Sequence, residues 1–193
     1  MARPRAFDET EVLERAMRVF WHRGFAQTSV QDLVDALGIN RASLYGTFGD
    51  KEGLYRRALC HYRDLNTART RDLVADAPSG KTAIRRMFEV TLAQLERESD
   101  RLGCFAANAA AERGALDDDT RALLADNEAA IVATFRSLLD RAAAEGELSP
   151  ERDREALART LFALHNGINV LSRYGTDAAR LRGVVEEAMR LVG

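Results

Sequence analysis

Residues 28–48 read Thr28-Ser-Val-Gln-Asp-Leu-Val-Asp-Ala-Leu-Gly-Ile-Asn-Arg-Ala-Ser-Leu-Tyr-Gly-Thr-Phe48, and the fold turns on this stretch. Thr28 and Gln31 have the spacing of a capping box, in which a hydroxyl takes an orphan amide three residues on. Val30, Leu33, Val34 and Leu37 then share one face of a short helix. Gly38 closes it, and Asn40 caps a second short helix that carries Leu44. Two capped helices around Leu37-Gly38-Ile39-Asn40 predict a helix-turn-helix. The second helix has few apolar residues, mainly Leu44 with part of Tyr45, beside Arg41, Ala42, Ser43, Gly46 and Thr47. A helix with so little to bury keeps a surface for something else, and small or polar residues suit a major groove. An ordinary helical hairpin in a bundle has the same spacing, so the flanks must decide.

Upstream, Asp8 and Glu11 form a further capping pattern before Val12, Leu13, Ala16, Met17, Phe20 and Trp21, and Gly24 ends that helix. Downstream, Phe48-Gly49-Asp50 break and restart the chain. Asp50 caps a long helix with Leu54, Ala58, Tyr62 and Leu65 on one face. Ala77-Pro78-Ser79-Gly80 is the clearest linker. Beyond it, helices are predicted near 81–98, 104–113, 117–145, 151–174 and 177–192, the fourth started by Ser149-Pro150-Glu151. The chain therefore reads as all-α with about nine helices, the helix-turn-helix lying within residues 1–50 and a larger helical region following at 51–193.

The flanks resemble one family closely. A first helix ending Phe20-Trp21-His22-Arg23-Gly24-Phe25, then Thr28-Ser29-Val30 with Leu33, Leu37-Gly38, Ser43-Leu44-Tyr45, Phe48, and Asp50-Lys51-Glu52 with Leu54 are similar to the tetracycline-repressor (TetR) family of transcription regulators. The resemblance implies a helix-turn-helix DNA-binding domain at 1–50 and a divergent helical ligand-binding and dimerisation domain at 51–193, together a DNA-binding repressor released by a small-molecule inducer. Gly46-Thr47 departs from it, since members commonly carry an aromatic residue and then histidine before the phenylalanine.

Roles at the DNA follow from the residue types. Phosphate contacts position a protein and base contacts specify a sequence. The helix start at Thr28, with the hydroxyls of Thr28 and Ser29, suits a phosphate. Lys51 opposes the helix dipole in the first turn of its helix, a placement that makes sense if it reaches a phosphate, as the resemblance also implies. Tyr45 and Thr47 are further phosphate candidates, with Gly46 between them in the contact set. Arg41 is the expected base reader, because arginine pairs bidentately with guanine. Ala42 and Ser43 suit base edges or a thymine methyl. Arg3 and Arg5, flanking Pro4, form a basic arm for a minor groove, or else a plain tail.

Composition narrows the remaining classes. Of 193 residues, 46% are hydrophobic and 30% charged, the balance of a soluble globular chain. The longest strictly apolar run is five residues, Ala129 to Ala133, so no membrane span is expected and the cytoplasm is the default location. Net charge is −2 overall, with ten Lys/Arg against eight Asp/Glu in residues 1–63, an asymmetry too mild to establish DNA binding alone. No cofactor or metal is implied. Cys60 and His61 are adjacent on one helix and point to different faces, and His22, His61 and His165 are scattered. The rival readings are a helical ligand-binding module without DNA binding and a helical enzyme.

Candidate ligand contacts are Phe88, Leu92, Cys104, Phe105, Asn108, Ile131, Phe135, Phe162, His165, Asn166 and Asn169, though a stripe at helical spacing is more often plain core. The pattern Gly103-Cys104 with Asn108 and Glu112 resembles members of the family that sense electrophiles or oxidants through a cysteine; the alternative is a small packing residue. Leu157, Leu161, Leu164 and Ile168, with Leu181, Val184, Val185 and Ala188, make two stripes that exceed what one domain of this size need bury. They are the expected homodimer surface, which would match a pseudo-palindromic operator.

Overall fold

The computed structural model describes residues 7–97 and 102–193. Short polar side chains start most helices by accepting their first amides. Asp8 caps α1 (Glu9–Arg23), Ser29 caps α2 (Val30–Leu37), Asn40 caps α3 (Arg41–Phe48) and Asp50 caps α4 (Lys51–Ala75). After α5 (Gly80–Arg97) and the short α6 (Phe105–Ala111), Asp117 caps α7 (Asp118–Ala144), Asp153 caps α8 (Arg154–Arg173) and Asp177 caps α9 (Ala178–Val192). The described residues thus hold nine α-helices, one 3-10 turn at Arg113–Ala115 and no strand. Gly38 turns α2 into α3 at φ 69, a left-handed backbone that glycine adopts without steric cost.

Two starts differ from the sequence reading. The capping box of α2 is Ser29 with Asp32, one residue later than Thr28 with Gln31. Ser149-Pro150-Glu151 forms a turn, closed by the Arg152 amide on the Ser149 carbonyl. α8 starts only at Arg154, because the Asp153 carboxylate accepts the amides of both Glu155 and Ala156 at 3.0 Å.

The helices close around two apolar cores. The first holds α1, α2, α3 and the Leu54–Leu59 segment of α4, together with Phe105, Ala109 and Leu116. The second is built from α5, α7, α8 and α9. The boundary drawn at residue 50 therefore cuts through a packed unit: the first core continues into α4 and takes in α6. α4 is common to both, since Leu73 and Val74 near its other end pack on the second core. Leu65, read as part of its apolar face, is 50% exposed.

The expected dimer stripes are largely internal. Leu157, Leu161, Ile168, Leu181, Val185 and Ala188 are buried within the protomer, where α8 and α9 meet α5 and α7. Only Leu164 and Val184 lie part-exposed at the edge of that core. The outward apolar residues of this layer are Val170, Leu171, Tyr174 and Leu191. No helix among the described residues is long and apolar enough to cross a membrane.

Candidate nucleic-acid interface and ligand cavity

α3 buries Leu44 and Phe48 and turns the rest of its surface outward. Arg41, Ala42, Tyr45 and Gly46 are exposed, while Ser43 and Thr47 are half-buried. No heavy atom lies within 4 Å of where a Cβ on Gly46 would sit, so this face is open. The Arg41 guanidinium donates to Gln31 Oε1 at 3.1 Å, and Gln31 Nε2 donates to Asp35 at 2.8 Å. The base-reading candidate is thereby held at the first turn of α2. Gln31 is a member of this surface that the sequence reading used only as a cap. Its exposed place beside Val30 in that first turn was the available signal.

The start of α2 is built differently from expectation. Thr28 is buried, and its hydroxyl donates to the Gly24 carbonyl at 2.6 Å. It fastens the α1–α2 turn, so its side chain is withdrawn from the phosphate role assigned to it. The Ser29 hydroxyl and amide both donate to Asp32, at 2.6 and 2.9 Å, and Arg23 adds a 2.7 Å ion pair to the same carboxylate. Those bonds from the Ser29 hydroxyl and amide, then from Arg23, lower Asp32 to about 2. The amides of Val30 and Gln31 remain without a protein acceptor among the described residues, which leaves a donor pair at the helix start. Lys51 is half-buried with its ammonium 4.2 Å from the centroid of the Phe25 ring, so it sits beside the same turn. Arg41, Lys51 and the start of α2 are thus gathered together through Gln31 and Phe25. Arg3 and Arg5 lie outside the described residues.

Between the two cores lies a cavity of ≈ 310 Å³. Of the candidate ligand contacts, Cys104, Ile131, His165 and Asn169 line it. The other predicted contacts do not. Phe88, Leu92 and Phe135 are core residues, with the Phe88 and Phe135 rings 5.9 Å apart. Phe105 belongs to the first core and Phe162 packs against the second. Asn108 donates to the Leu102 carbonyl at 2.8 Å, and Asn166 is half-exposed on α8, outside the cavity lining. The sequence reading missed the wall that α4 supplies. Tyr62, Asn66 and Thr70 recur at i, i+4 and i+8 along it, whereas the sequence singled out only Tyr62, on the apolar face of that helix.

Cys104 stands at the N-cap position of α6 but its sulfur makes no capping bond; it accepts from the Tyr62 hydroxyl at 3.5 Å. Burial, and then the neighbouring Cys104, pushes the Tyr62 phenol up. Opposite, His165 Nε2 lies 2.9 Å from the Thr91 oxygen, whose own proton goes to the Met87 carbonyl at 3.2 Å. Nδ1 is buried and has no hydrogen-bond partner among the described residues. Burial lowers His165 to about 4 from its ordinary 6.5.

The sign of the resulting pH effect is fixed. Between those two values the unfolded chain binds the proton that the folded chain refuses. The stabilisation is full above about pH 6.5 and is lost as pH falls towards 4, by up to about 3 kcal/mol. Thermal melts across this window should show a falling midpoint in the wild type and a shallower fall in His165→Gln. Parallel curves would show that other groups set the acid limit.

Comparison with known proteins agrees with this architecture. Residues 12–58 match the family model described as "Bacterial regulatory proteins, tetR family". Residues 80–188 match that of the "Tetracyclin repressor-like, C-terminal domain". The chain is 30% identical to the HTH-type transcriptional repressor ComR of Escherichia coli, over 98% of this chain and 90% of that protein. It is 31% identical to the HTH-type transcriptional regulator YezE of Bacillus subtilis over 100% of both. Among solved structures, a cysteine mutant of the TetR family regulator CifR, complexed with 26 bp double-strand operator DNA, superposes with a TM-score of 0.86. That protein is 35% identical, with 97% of this chain and 98% of that one covered. Both halves of the chain match the family and the match runs nearly end to end, so this protein belongs to the TetR family of bacterial regulatory proteins.

Proposed function

We propose that the protein is a transcriptional repressor that binds a pseudo-palindromic operator as a homodimer and is released by a small molecule entering the cavity. The observation that carries this is the outward face of α3, which has no packing duty and lies next to two donors of the α2 start and a lysine. ComR is a repressor by name and CifR was solved on operator DNA, which supports the same role here. Two-fold symmetry places recognition helices about 34–36 Å apart, or a multiple of it. The outward residues Leu171, Tyr174 and Leu191, with part-exposed Leu164 and Val184, supply an apolar surface for the second copy. Release requires that the ligand bind the DNA-free arrangement better than the DNA-bound one. A thiol-reactive inducer fits the same site through Cys104, which lines the cavity.

The test is selection of bound sequences from random DNA, followed by salt titration on the selected operator. Lys51→Ala should weaken binding on all sequences and reduce the salt slope by about 1. Arg41→Ala should cost about 1–3 kcal/mol on the operator and relax preference at one position per half-site. Failure to enrich any sequence, with salt-independent weak binding, would leave a ligand-binding module without DNA recognition.

A further inference from the structure

One carboxylate from outside α1–α3 grips the α1–α2 turn. Glu112, at the C-cap of α6, accepts the Phe25 amide on Oε1 at 3.2 Å and the Ala26 amide on Oε2 at 3.0 Å. These are the amides of the α1–α2 turn, and partners 87 and 86 residues apart in sequence meet there. Gly24 makes the approach possible. It sits at φ +80, and a Cβ on it would lie 2.5 Å from Glu112 Oε1. The carboxylate borders an aromatic cluster in which Tyr55 meets Phe20, Phe25 and Phe105, and its charge acts on the Tyr55 phenol.

The other end of the same short helix faces the cavity. Gly103 and Cys104 line it, immediately before α6 begins at Phe105. At its cavity end α6 is fastened to the first core, where Trp21 Nε1 donates to the Leu102 carbonyl at 3.2 Å and Phe105 packs against Trp21, Tyr55 and Tyr62, and Ala109 is buried in the same core. On the DNA side the gripped turn bears Phe25, whose ring carries the Lys51 ammonium, and it runs through Thr28 into the Ser29 cap. About two turns of helix thus lead from the cavity wall to the α1–α2 turn.

We propose that Glu112 is a positioning residue for operator recognition: by gripping the Phe25 and Ala26 amides it sets α2, and with it Lys51, in the DNA-competent arrangement, and it is the point at which the cavity acts on that arrangement. The proposal rests on the reading that α2 and α3 bind DNA. Glu112 touches no DNA itself. Its effect on affinity therefore has a sign opposite to plain electrostatics, because removing a negative charge from a DNA-binding domain strengthens attraction to a polyanion.

The experiment uses the full chain with Glu112→Gln, which keeps one carbonyl acceptor, Glu112→Ala, which keeps none, and Asp118→Asn as a control that removes an exposed charge nearby. Operator affinity is measured against salt, and exchange of the Phe25 and Ala26 amides is followed by NMR. Glu112→Gln is expected to bind the operator roughly tenfold more weakly, and Glu112→Ala more weakly still. The salt slope should fall by no more than about 1, the share of the Lys51 contact; both amides should lose protection in Glu112→Ala and one of them in Glu112→Gln, while helix content and melting stay near wild type. Asp118→Asn should stay within about twofold of wild type. Tighter or unchanged operator binding in both Glu112 variants overturns the proposal, as does a loss matched by Asp118→Asn. If the wild type binds no operator, the DNA reading itself has failed. The amides then decide the grip alone: protection that survives in Glu112→Ala overturns it.

Discussion

Val185→Arg is expected to abolish folding, not to yield a soluble monomer. Val185 is 2% exposed and sits with Leu181, Ala188 and Val192 on the face of α9 that meets α5 and α8. An arginine there must either bury its guanidinium among apolar neighbours or force α9 away from the core. An unpaired charge at such a site costs at least about 3–5 kcal/mol, against a total stability of about 5–15 kcal/mol for a domain. Loss of cooperative melting and of most helical ellipticity at 37 °C is the expected result. A folded, monomeric Val185→Arg would mean that α9 lies outside the core of the free protomer.

Leu171→Arg is expected to do the opposite: to leave the protomer folded and to separate it from its partner. Leu171 is 40% exposed, near Val170 and Tyr174, which are 43% and 82% exposed, so a charge here remains solvated in the monomer. In a dimer it would be desolvated against the partner's copy of the same surface, since a two-fold interface is self-complementary. Losing the dimer also loses the second half-site. Tethered half-sites raise avidity by about 10²–10⁴, so operator affinity should fall at least a hundredfold while the weak half-site affinity persists. Sedimentation at micromolar concentration, paired with operator titration, checks both parts. A wild-type protein that is already monomeric there would remove the dimer from the proposed function.

The two outcomes separate residues that the sequence alone grouped together. Leu157, Leu161, Leu164 and Ile168 are an apolar stripe, and so are Leu181, Val184, Val185 and Ala188. Periodicity states that such a face is covered, but it does not name the cover. Here α5 and α7 supply it within one chain, and the expected interface retreats to the edge residues Leu164 and Val184 and the outward Leu171, Tyr174 and Leu191.

Legible in the sequence were the features that local chemistry decides. Helix starts at Asp8, Asn40, Asp50 and Asp117, the left-handed turn at Gly38 and the bare outward face of α3 all follow from residues within a few positions of one another. Even there, neighbouring hydroxyls competed: Ser29 took the cap, because Thr28 was drawn inward to the Gly24 carbonyl. Only the tertiary structure decided the rest. The cavity wall on α4, the unpartnered Nδ1 of His165, and the grip of Glu112 on the Phe25 and Ala26 amides depend on helices far apart in the chain meeting at hydrogen-bond distance. A sequence pattern records which face of a helix avoids water. Which polar atom lies opposite another is set by how the helices cross once those faces are buried, and that information is spread over the whole core.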